Sequence, residues 1–196
     1  MNYKKAASAL FLAFASTTSN AHAGVIGFDD ITYINGDPAP ISNGYEGFAW
    51  SNIWSSRAGY SQEFSSGLVS GANIGFMIAA TAVTSFTSTT PFTFNSVNIA
   101  KMYYDGLTRF EGYVGDTLVY SKDVFAAKGV SSLATFDWTG LTRVDISVLD
   151  DSERVVFDDF TVNELVAEVP EPASIALMLA GLGLAGVVRK RKNKQV

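Results

Sequence analysis

The chain has 196 residues, 47% of them hydrophobic and 13% aromatic, with no cysteine, one histidine and a formal net charge of -5 at pH 7. High aromatic content beside a charged fraction of only 17% argues for a packed globule rather than a disordered stalk. The missing cysteine excludes disulfides, thiolate nucleophiles and cysteine-ligated zinc.

The chain opens with the three parts of an export signal: basic Lys4 and Lys5, an apolar run from Ala6 to Ala15, and a small-x-small site at Ala21-His22-Ala23. Residues 1–23 are therefore expected to be a signal peptide that engages the Sec translocon and is cut by signal peptidase after Ala23. That cut removes His22, the sole histidine, and imidazole-based catalysis goes with it. An exported domain without cysteine must then draw its stability from a core, a metal ion or both.

Residues 24–165 have the size of one domain. Between Gly24 and Glu168 there are 18 acids (19 less Glu171) and seven bases (14 less two in the leader and five in the tail), a net charge near -11. Nucleic acid and anionic lipid are unsuited to such a surface; neutral glycans and divalent cations suit it. No helical period is sustained here. Short segments rich in β-branched and aromatic residues predict strands at Val25–Ile34, Gly47–Ile53, Asn73–Ala79, Phe92–Tyr104, Thr108–Val114, Thr117–Phe125, Leu133–Trp138, Arg143–Leu149 and Val155–Val162. Turn signals such as Asn35-Gly36-Asp37-Pro38, Asn43-Gly44, Asp105-Gly106, Gly115-Asp116 and Thr139-Gly140 punctuate them. The fold class is thus all-β, an antiparallel β-sandwich, with eight or nine strands and no repeat favouring a jelly roll. The Ser/Thr-rich Thr84–Thr90 is expected to be a loop or strand edge, an exposed connection or a carrier of O-linked sugar.

Two constellations could carry chemistry. Phe28-Asp29-Asp30 and Phe157-Asp158-Asp159 are acidic pairs in matching contexts near the two ends of the domain. In the last strand the period of two puts Asp158 on the face of Val156, Phe160 and Val162, where a carboxylate needs a partner. Were the first and last strands adjacent, Asp29, Asp30, Asp158 and Asp159 would converge, and calcium would be their natural ligand outside the cell; alternatively they are hydrogen-bonded or exposed. The second constellation is aromatic: Tyr45, Phe48, Trp50, Trp54 and Tyr60. Tyr45, Trp50 and Trp54 could stack on sugar rings while Asn52, Glu46 or Arg57 bind hydroxyls; alternatively the aromatics are core. Enzymatic signals are weak, so the chain reads as non-catalytic. Asp150, Asp151 and Glu153 form an acidic loop of a kind that could serve a two-carboxylate glycosidase, and Ser-Lys chemistry would need a buried lysine, whereas Lys101, Lys122 and Lys128 all sit in surface-like contexts.

The chain closes on a linker, 166–172, containing Pro170-Glu171-Pro172, an apolar run over 173–188, and a basic tail, 189–196, with Arg189, Lys190, Arg191, Lys192 and Lys194. As a helix at ~1.5 Å per residue the run reaches about 24 Å, a little short of the ~30 Å hydrocarbon core; basic side chains that snorkel make up the difference and hold that end in the cytoplasm. It is expected to be a stop-transfer transmembrane helix in the inner membrane.

The tail closely resembles the PEP-CTERM sorting signal, the alternative being an ordinary single-span anchor. The resemblance implies recognition by an exosortase, a membrane protease-transpeptidase, in a Gram-negative bacterium that makes exopolysaccharide, and a final place at the cell surface or in the extracellular matrix. The domain is similar to galactose-binding-like and carbohydrate-binding-module jelly rolls, in which an acid of the first strand and an Asp of a terminal Asp-Asp-aromatic strand help to hold a structural calcium. The segment Gly44–Asn52 and the later hairpin also resemble exported domains found ahead of such tails. These resemblances imply a protein associated with exopolysaccharide; the alternatives are an adhesive protein binding another protein, and a carboxylate-dependent polysaccharide-cleaving enzyme.

Overall fold

A computed structural model describes residues 23–34, 36–79, 81–149 and 154–164. The signal-peptide body, the acidic loop at Asp150, Asp151 and Glu153, the Pro-Glu-Pro motif, the apolar run and the basic tail lie outside the described residues. Among the described residues no helix is long and apolar enough to cross a membrane.

The domain is an antiparallel β-sandwich of ten strands: β1 (Gly24–Ile26), β2 (Ala39–Pro40), β3 (Ala49–Ser51), β4 (Ile53–Arg57), β5 (Asn73–Met77), β6 (Thr84–Lys101), β7 (Gly106–Val114), β8 (Thr117–Ala126), β9 (Ser132–Val148) and β10 (Val155–Val162), with one turn of helix, α1 (Gln62–Ser65). The hydrogen-bonded order is β2-β4-β5-β10-β6-β9-β7-β8, with β1 on β10 and β3 on β6. Strands β6 and β9, 18 and 17 residues long, belong to both layers. Their distal halves join β10, β5, β4 and β2, while Thr84–Thr87 of β6 pairs with β3 and with β9 where β9 meets β7. Register shifts between Thr87 and Ser96 mark the bend, as bulges do where strands turn a corner. As expected of a jelly roll, the first strand lies on the last, with Gly24 opposite Val162 and Ile26 opposite Phe160.

Four sequence expectations change. The first strand ends at Ile26 instead of Ile34, because Phe28 takes φ +65° and the amide of Ile31 closes a turn on the Phe28 carbonyl. The strand expected over Gly47–Ile53 breaks at Asn52, at φ +57°, a left-handed conformation that Asn tolerates. Its halves go to different layers, β3 to β6 and β4 to β5. The Ser/Thr run 84–90 is the start of β6, with Thr84 and Phe86 buried, Ser85, Thr87 and Ser88 half-buried and Thr89 and Thr90 exposed. Thr139-Gly140 is no turn: it lies within β9, where Asp137 and Gly140 take positive φ and the strand bends without ending.

The core between the layers is aromatic. Trp50 of β3 and Phe86 of β6 meet Phe160 of β10 at ring centroid distances of 5.8 and 5.5 Å, with Phe28 and Phe94 completing the contact. Burying such a ring contributes about 1.5–3 kcal/mol and each well-placed pair about 0.5–1.5 kcal/mol more. A second cluster covers the outer face of the first layer: Ile74, Phe76 and Val156 alternate outward from β5 and β10 and are roofed by Phe64 of α1, Ala58 and Met102. Gly75 sits between the clusters with no room for a side chain, since a Cβ there would come within 2.8 Å of the Phe28 ring.

Candidate functional site

Three of the four acids, Asp29, Asp158 and Asp159, are arranged around one stretch of chain, Val69–Asn73, which leads into β5. Asp158 is fully buried: its Oδ2 accepts the amides of Val69 and Ser70 at 2.7 and 2.9 Å, and its Oδ1 accepts the amide of Asp159 at 2.8 Å. Burial pushes its pKa up to about 6, with the three amides pulling the other way and the Asp159 charge adding to the rise. Asp159, at φ +49°, accepts the Ser70 hydroxyl at 2.6 Å. From the other end of the domain, Asp29 Oδ1 accepts the amides of Ala72 and Asn73 at 2.6 and 3.0 Å. Its carboxylate occupies the space of a side chain at Gly71, which takes φ +58° and lacks one. Asn73 completes the clasp by donating to the carbonyls of Phe28 and Ile31.

Asp30 stands apart, accepting the Tyr45 hydroxyl at 2.6 Å; burial first, and then this hydrogen bond and the Asp30 charge, drive the Tyr45 pKa upward. The structure thus brings together Asp29, Asp158 and Asp159 but not Asp30. A Cβ on Gly27 would lie 3.2 Å from Asp29 Oδ2 and 3.3 Å from Asp159 Oδ1, so two carboxylate oxygens face one point. Calcium takes about six to eight oxygens, and among the described residues no three of His, Cys, Asp or Glu are grouped to hold a metal ion.

The four residues read from the sequence as a glycan platform do not share a surface. Trp50 is 7% exposed, packed edge-on to Phe28, Phe48 and Phe160, with its Nε1 donating to the Tyr45 carbonyl at 2.9 Å. It is core, because β3 turns that ring between the layers. Tyr45 packs on the same cluster, whereas half-buried Trp54 packs on the outer one, on the opposite face of the first layer. Asn52 is a corner residue: its Nδ2 donates to the Val83 carbonyl, and its own carbonyl accepts from Thr84 and Ile78. Lys101 also departs from its surface-like context, being fully buried with Nζ donating to the Leu107 carbonyl at 3.4 Å.

A cavity of about 260 Å³ opens beside α1, lined by Gln62, Glu63, Ser66, Met102, Lys128 and Gly129. Sequence reasoning missed it, because its walls come from three segments far apart in the chain and none carries a motif.

Residues 168–192 match the PEP-CTERM protein-sorting motif. The motif implies processing by an exosortase, a membrane protein, and an exported, membrane-anchored precursor. No curated protein matches the chain. Among solved structures it is similar to a family 29 carbohydrate-binding module, at 12% identity and a TM-score of 0.41, covering 76% of this chain and 99% of that one. A carbohydrate-binding module solved with β-1,4-galactotriose gives 11% identity and a TM-score of 0.37, over 63% of this chain and 97% of that one. The agarase AgWH50C gives 9% identity and a TM-score of 0.41 over 67% of this chain, which spans only 25% of the agarase. Likenesses at this level say nothing about ligand or activity.

Proposed function

We propose that the chain is an exported, non-catalytic surface or matrix protein of a Gram-negative bacterium, sorted by an exosortase and associated with exopolysaccharide through its β-sandwich. The observation that carries this reading is the sorting motif at 168–192 behind an antiparallel sandwich. Three further facts support it. The domain after the leader has neither His nor Cys, and its acids outnumber its bases, which suits a neutral polymer better than nucleic acid. The carboxylates that do converge, Asp29, Asp158 and Asp159, are engaged with amides and a hydroxyl of the domain's own chain, a structural use.

The test has two arms. Deleting the producer's exosortase should leave the full-length chain in the inner membrane with its tail uncut. Purified full-length chain in detergent should co-sediment with the producer's exopolysaccharide and release no reducing sugar from it. Failure to co-sediment would refute the glycan part while leaving the sorting part intact; sugar release would refute the non-catalytic reading.

A further inference from the structure

We infer that the cavity beside α1 is a subsite for one ring of a neutral sugar, an assignment that rests on the glycan reading above and gives it a location. At about 260 Å³ the cavity falls just under the ~300 Å³ at which pockets for drug-sized ligands begin, room for a single ring. Its wall includes Met102, the residue after β6, which is 4% exposed and lends only the edge of a polarisable, apolar side chain to the cavity. The other lining residues are Gln62, Glu63, Ser66, Lys128 and Gly129, four of them with polar side chains.

The wall that carries Lys128 is fixed by its backbone. The Lys128 amide donates to Asp105 at 2.7 Å, the Gly129 amide to the Lys101 carbonyl at 3.0 Å, and the Lys101 amide to the Ala127 carbonyl at 3.2 Å. The opposite wall is fixed by the Ser61 cap of α1 and by the Ser66 hydroxyl donating to the Glu63 carbonyl. Among the described residues no ion pair within 4.0 Å claims the Lys128 ammonium.

The charges choose the ligand class. Glu63 is held below the usual carboxylate range, first by its own backbone amide and the Ser61 hydroxyl and last by the Lys128 charge, so the cavity presents one anion and one cation. Vicinal hydroxyls satisfy that pair by donating to a carboxylate and accepting from an ammonium. A uronic acid would gain Lys128 but meet Glu63, the nearby Asp105 carboxylate and a strongly acidic domain.

Ligand-observed saturation-transfer NMR on the full-length chain in detergent tests this with the methyl glycosides of glucose, galactose, mannose and xylose, and with methyl glucuronide. At least one neutral glycoside should bind, and more tightly than the glucuronide. Lys128→Ala and Gln62→Ala should each weaken it about fivefold or more, the worth of one hydrogen bond. Both side chains are exposed, so the melting temperature should not move; should Lys128→Ala melt lower, Lys128→Met retains the stem and repeats the reading. Preference for the glucuronide, no neutral binding, or binding indifferent to both substitutions would overturn the subsite. A chain that still co-sediments with exopolysaccharide but ignores these substitutions loses only the subsite; one that does neither loses the glycan reading as well.

Discussion

Phe28-Asp29-Asp30 and Phe157-Asp158-Asp159 read alike, yet the structure uses them unequally. In the last strand Asp158 is sealed at 0% exposure with three amides on it, whereas Asp29 is exposed and holds two, and Asp30 holds a tyrosine hydroxyl. Three of the four, Asp29, Asp158 and Asp159, serve one segment, Val69–Asn73, gripped from the two ends of the domain at once. The same dipeptide therefore has different worth according to how much water can replace it: an amide stripped of its acceptor in a dry site costs the full desolvation penalty, while an exposed one finds a water.

The comparison can be broken by mutation, starting at the buried carboxylate, where the greatest loss is expected. Asp158→Ala strands the amides of Val69, Ser70 and Asp159 and should cost about 3 kcal/mol or more in chemical denaturation. Asp29→Ala should cost about 1–2 kcal/mol, since water reaches the Ala72 and Asn73 amides; a loss equal to that of Asp158→Ala would mean that burial does not separate the pairs.

A third measurement sharpens the difference through pH. The folded pKa of Asp158 is raised to about 6, so the native state binds its proton more tightly than the unfolded chain does. The stability this brings is complete below about pH 4 and is lost as pH rises through about 6. Asp158→Asn retains an acceptor for Val69 and Ser70 and cannot titrate. The stability of the wild type relative to it should therefore fall by about 2 kcal/mol between pH 4 and pH 7, and a flat difference would show that Asp158 is not held dry. Tyr45→Phe removes the exposed hydrogen bond to Asp30 and should cost less than about 1 kcal/mol. Smallest of all is the effect expected of chelation. With the carboxylates engaged by amides and hydroxyls, EDTA should leave the melting temperature unchanged; a rise on adding calcium would instead show that Asp29 and Asp159 recruit a cation.

How far the sequence foretold this can be judged residue by residue. Period-two alternation located β7, β8 and β10 almost to their ends, and the need of Asp158 for partners was legible from its apolar neighbours, but its face was not: the left-handed Asp159 and the register shift after Asp158 break the alternation, so Asp158 lies with Val156 on the outer face while Phe160 and Val162 enter the core. The adjacency of first and last strands came from the jelly-roll expectation. The corner at Asn52 was not legible, because alternation continues through it: Trp50 and Trp54 sit two steps either side, and nothing local says that one strand passes to another layer. Nor could the partners of Asp158 be read, since backbone amides leave no mark on the sequence and Val69 and Ser70 lie some 90 residues away. Thr84–Thr90 reads as polar because its outward residues are polar, yet Phe86 in its middle is fully in the core.

The pairing of β1 with β10 also decides how the domain carries a load. Tension applied from the C-terminal side enters at Val162, the end of a strand flanked on one edge by β6 and on the other by β5 and β1. Drawing β10 out along its length would require its cross-strand bonds on both edges to give way together, whereas an edge strand could be unzipped one bond after another. Force from that side would thus enter the domain through a strand paired along both edges.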